Sequence, residues 1–83
     1  MRLAKAVKFR EEKFGGVLFE TRSEKVFTLN PTAAAVVREL QAGRPEHDIA
    51  SALKTRFDAG DGVIEKEVEA FIAALRERGL TDE

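Results

Sequence analysis

Few residues in this 83-residue chain could do chemistry, and none of them sits in a pattern that chemistry requires. His47 is the only histidine and stands between Glu46 and Asp48, in what reads as the first turn of a helix. With no cysteine and no second imidazole it makes a poor metal site, and a solvated surface histidine is the plainer reading. "DAGDGVIEKEV", residues 58 to 68, invites comparison with a calcium loop, because Asp61, Gly62 and Ile64 share the spacing of its fifth, sixth and eighth positions. Phe57, Ala59 and Val68 would then fall where oxygen ligands are needed, so a loop and helix cap fits better. Glu65, Glu67 and Glu69 suggest acid/base work, yet they alternate with apolar positions and spread over the polar side of a helix. Ser23 and Ser51 have neither a nearby histidine base nor a nucleophile elbow. Gly15-Gly16 precedes a strand, the reverse of the strand, glycine loop and helix order that cradles phosphates. The expectation is a protein that is not an enzyme and needs no cofactor or metal.

Binding remains, and the composition narrows the partner. Fourteen Lys and Arg against fifteen Asp and Glu leave a net charge of -1, unlike the basic balance of a dedicated nucleic-acid binder. No apolar run approaches the ~20 residues that span a bilayer, and "MRLAKAVKFREEK" lacks the apolar stretch of a secretory signal. Without cysteine, packing alone must hold the fold, and a reducing compartment suits it. These features predict a single cytoplasmic domain over residues 1–83, with neither nucleic acid nor membrane as partner.

The elements that would position a binding surface are legible in the periodicity. Val7 and Phe9 alternate with Lys8 and Arg10 as in a half-buried strand. "EEKFGG" follows, its paired glycines suited to a turn or bulge. "VLFET" and "KVFTL" then read as a hairpin around Arg22 and Ser23. If Glu20 faces Lys25, Leu18 opposes Phe27 and Phe19 opposes Val26, so both faces of the ribbon are apolar; one can pack on helices and the other stays exposed. Asn30 is a good N-cap and Pro31 suits the first helical position. Val36, Val37 and Leu40 stripe this first helix, "TAAA" keeps its first turns thin, and Gly43 ends it. A second helix begins near Pro45 without a capping side chain and carries Ile49, Leu53 and Phe57. After a break over Asp58 to Gly62, a third helix presents Ile64, Val68, Phe71, Ile72 and Leu75, with Gly79 and Leu80 closing it as a Schellman ending.

This order, three strands and then three helices, predicts an α+β fold. If the strands lie side by side in chain order, the third keeps one edge unpaired, with backbone groups along Val26, Phe27, Thr28 and Leu29. An extended peptide could add there as a further strand; alternatively a helix or a dimer partner covers the edge. A winged-helix DNA-binding protein is a second functional class compatible with a hairpin and three helices, although helix two offers only Lys54 and Arg56 to phosphates.

"FTLNPTAAAVVREL", "AGR", "DIASALKTRF" and "VEAFIAALRERGL" together resemble the small PqqD-like proteins, peptide chaperones that act as recognition elements for ribosomally synthesised, modified peptides. The resemblance runs from about Val7 to Leu80 and is most specific at "LNPTAAAVV". It implies a winged-helix-like fold, a leader (precursor) peptide as partner, and a peptide-modifying enzyme, such as a radical S-adenosylmethionine enzyme, as recipient. It further implies that the leader adds to the third strand, in the groove facing the third helix. On this chain those positions are Val26, Phe27, Thr28 and Leu29, with Glu67, Phe71, Ala74 and Arg78 as the helix flank; Glu65, Glu69, Ile72 and Arg76 form the alternative flank. Members serving pyrroloquinoline quinone synthesis typically carry a Tyr-Pro-Glu-like segment where this chain has "FETRSE", and an Asp where it has Ala42. Monomer and homodimer are both compatible with the sequence.

Overall fold

The alternation that begins at Val7 is realised as strand β2, Val7–Glu12, which follows a two-residue strand β1, Arg2–Leu3, in a computed structural model describing residues 1–57, 60 and 62–82. β3, Gly15–Glu20, and β4, Lys25–Leu29, complete an antiparallel sheet in the order β2-β3-β4. The expected hairpin register is present: Glu20 faces Lys25, Phe19 faces Val26 and Leu18 faces Phe27. Leu18 and Leu29 are buried on one face, whereas Phe19 and Val26 on the other are 37% and 58% exposed. The paired glycines depart from expectation. The turn between β2 and β3 is Lys13-Phe14, and Gly15 and Gly16 lie inside β3, opposite Glu12 and Glu11. The reason is crowding. A Cβ on Gly15, whose φ is +142°, would stand 2.1 Å from the Leu29 carbonyl oxygen and 2.5 Å from the Asn30 carbonyl carbon.

β4 ends where α1, Pro31–Gln41, begins. The Asn30 side chain accepts a hydrogen bond from the Ala33 amide at 2.8 Å, and Pro31 starts the helix. The thin first turns bring Ala34 and Ala35 into the core beside Val36, Val37 and Leu40. The helix closes with Gly43 N–H donating to the Leu40 carbonyl and Arg44 N–H to the Glu39 carbonyl. α2, Glu46–Lys54, starts at Pro45 without a side-chain cap, as expected, and buries Ile49 and Leu53; Phe57 follows the helix and packs half-buried on the core. Of the break expected before the third helix, Asp58, Ala59 and Asp61 lie outside the described residues.

α3, Val63–Glu77, buries Ile64, Val68, Ile72 and Leu75, with Phe71 half-buried at the margin of the stripe. Its end is the expected Schellman arrangement: Gly79 (φ +69°) donates to the Arg76 carbonyl and Leu80 to the Leu75 carbonyl, while the Leu80 side chain enters the core. Beyond it, β5, Thr81–Asp82, pairs antiparallel with β1, a contact that the sequence pattern did not foreshadow. No helix among the described residues is long and apolar enough to cross a membrane.

Candidate functional site

The sheet has two edges, and their side chains differ. β2 carries Lys8, Arg10, Glu11 and Glu12 along its length, the kind of charged edge that discourages further pairing. β4 follows Lys25 with Val26, Phe27, Thr28 and Leu29, and no strand among the described residues pairs with its outer side. Phe27 and Leu29 point to the helical side of the sheet, while Val26 and Thr28 point to the open face, where Val26 lines a shallow cavity with Val17 and Phe19.

The two flanks of α3 meet different neighbours. Arg76 bonds Glu46 of α2 and Lys54 of α2 bonds Glu65, so the Glu65 to Arg76 side is turned to α2. The Lys54 ammonium, donating a hydrogen bond, holds the Glu65 carboxyl below the usual carboxylate range. Residues Glu65, Glu69, Ile72 and Arg76 line a cleft with Glu46 and His47. The other side runs toward β4 and the start of α1. Glu67 and Phe71 line a cavity of about 330 Å³ with Asn30, Thr32, Ala33, Val36 and Ala70. Eleven positions after Glu67, the Arg78 guanidinium carbon lies 5.3 Å from the centroid of the Phe27 ring, a cation–π contact from the end of α3 to β4. Ala74, three positions after Phe71 and four before Arg78, is half-buried on the same side.

Glu67 and Phe71 thus share a cavity with the start of α1, and Arg78 meets Phe27 of β4 beyond the end of α3, with Ala74 between Phe71 and Arg78 on that side of the helix. Three residues of the first turns of α1, Thr32, Ala33 and Val36, also line that cavity, and the sequence pattern did not mark them for the site. The signal was present in the run of small side chains after Pro31, which lets a neighbour come close. His47, which reads from sequence as a solvated surface histidine, is exposed; no cluster of three or more histidine, cysteine or acidic residues among the described residues could hold a metal ion.

Between β3 and β4, Glu20 organises the hairpin turn. Its carboxylate accepts from the Ser23 hydroxyl at 2.6 Å, the Ser23 amide at 2.8 Å and the Arg22 amide at 3.0 Å. The Ser23 hydroxyl first and the Arg22 amide next hold this carboxyl well below its ordinary 4.5, at about 2, against the opposing effect of burial. At the far side of α1, the buried carboxylate of Glu39 binds Arg44 and Arg56, and Arg38 reaches Glu11 of β2.

The family model of coenzyme PQQ synthesis protein D (PqqD) matches residues 15–80, which include β3, β4 and all three helices. No curated protein matches the chain. Among solved structures, a lasso peptide synthetase B1 complexed with the leader peptide is 28% identical over 99% of this chain and 96% of that one, with a TM-score of 0.82. TbiB1 in complex with the TbiA(beta) leader peptide is 20% identical over 96% of this chain and 93% of that one, with a TM-score of 0.83, a likeness of fold.

Proposed function

Because the chain belongs to the PqqD family, we propose that it is a non-catalytic peptide chaperone, which binds the leader of a precursor peptide by strand addition to β4 and presents it to a modifying enzyme. The observation that carries this reading is the one-sided pairing of β4, an uncharged edge from Val26 to Leu29 beside a trough walled by α3. A guest strand satisfies its own backbone groups on that edge and sets alternate side chains against Phe27, Phe71 and the first turn of α1. The Asn30-Pro31 seam ends the ladder at Leu29, since proline has no amide to donate, and holds the edge at a fixed angle to the helices. A trough formed in advance spares the guest the cost of ordering it. The likeness to a leader-bound lasso peptide synthetase B1 supports the same reading, with a modifying enzyme of the radical S-adenosylmethionine or another class as recipient.

Binding of DNA is disfavoured by the arginines themselves. Arg38, Arg44, Arg56 and Arg76 each contact a carboxylate, so phosphate contacts would have to displace those pairs. The direct test is an NMR titration of the whole protein with the leader segment of the precursor peptide encoded beside its gene. Shifts concentrated in Val26 to Leu29, Phe71, Ala74 and Arg78 are expected. Shifts confined to α2 would refute the reading, as would DNA retardation at low salt with no peptide response.

A further inference from the structure

The trough is electrically polarised. At its hairpin end stand two cations without a carboxylate partner among the described residues. Lys25 is exposed and points to the same side of β4 as Phe27, and Glu20, opposite it in register, is engaged by Ser23 and Arg22. Arg78 rests its guanidinium on the Phe27 ring, which orients the group while leaving its N–H donors free for an acceptor. At the other end, Glu67 stands at the cavity beside Asn30 and Ala33, with no basic side chain in contact among the described residues. A guest seated beside such groups strips part of their water, and a guest of opposite charge offsets that cost.

Resting on the reading of the trough as a leader site, we infer that the chain selects peptides with a carboxylate side chain at the Lys25–Arg78 end and a cationic side chain at the Glu67 end. The spacing follows from geometry. Arg78, the C-cap of α3, stands eleven positions after Glu67, or ~16 Å at ~1.5 Å per residue. An extended guest covers that distance in about five residues at ~3.3 Å each. Both charges must face α3, so their separation must be even: four or six positions. Lys25 and Arg78 then set the specificity, and the uncharged edge supplies affinity that does not depend on sequence. Each matched pair, solvent-accessible as it is, is expected to change affinity roughly two- to fivefold, and less at high salt.

The test is selection from a display pool of random dodecapeptides on the intact protein, with the enriched peptides followed by NMR on the wild type and on Arg78→Glu and Lys25→Glu. Enriched peptides that shift Val26 to Leu29 and carry an acid and a base four or six positions apart, with the acid preference lost or inverted in the two variants, would bear the inference out. Peptides that shift the same amides without a charge pattern, or that bind both variants unchanged, would overturn the inference and leave the leader site standing. A pool that yields no binder, or binders that shift other surfaces, would overturn both.

Discussion

The Asn30 side-chain oxygen lies 2.8 Å from the Ala33 amide nitrogen, at the single residue that separates β4 from α1. Asn30→Ala removes that acceptor and leaves an orphan amide, which costs about 1 kcal/mol. For a domain of this size the melting temperature should fall by roughly 4 to 8 °C, and Asn30→Asp should restore most of it. Peptide affinity should fall with it, because the angle of the edge loosens. Unchanged melting and unchanged affinity would remove the seam from the account.

Gly15→Ala should be far more damaging than its size suggests. The added methyl meets the Leu29 and Asn30 backbone at 2.1 to 2.8 Å, and the positive φ is unfavourable for alanine besides. No flexible side chain can yield there, so β3 must shift from the end of β4. A loss of more than about 3 kcal/mol is expected, within the range that strain and overpacking reach together. A urea midpoint within error of the wild type would contradict the close approach.

Leu80→Ala tests the closing turn of α3. The side chain is buried and packs where the Schellman hydrogen bonds turn the chain toward β5. Deleting it should cost about 2 to 5 kcal/mol, a large part of the stability typical of one small domain. Hydrogen exchange should then speed up at Thr81 and Asp82 before it does in β3.

The depressed pKa of Glu20 makes part of the stability depend on pH. The group ionises at about 2 in the folded chain and near 4.5 when unconstrained, so the unfolded chain takes up its proton first as pH falls. The stabilisation is therefore complete above about pH 4.5 and is lost progressively toward pH 2. Glu20→Gln lacks this ionisation. The gap between wild type and variant in chemical denaturation should be widest near pH 6 and should close between pH 4.5 and 2.

The register of the β3–β4 hairpin was legible because a one-residue slip would turn Leu18 out and Phe19 in, and the ends of α1 and α3 were legible because Asn30, Pro31, Gly43 and Gly79 act locally. The β1–β5 pair was not. Two residues at each end carry no periodicity, and their partners are separated by nearly the whole chain. Gly15 misled for a related reason, since its requirement comes from the Leu29 and Asn30 backbone rather than from a turn. The edge could be located from sequence, but not the flank of α3 beside it. Spacing names two equivalent sides of an apolar stripe, and only the position of α2, shown by Lys54 with Glu65 and Arg76 with Glu46, distinguishes them.

Arg2 pairs with Asp82 across β1 and β5, and Asp82 shares a cavity with Arg22 of the hairpin turn. Two strands that form a sheet of their own share a single opening event, so loss of β1 should free β5 as well.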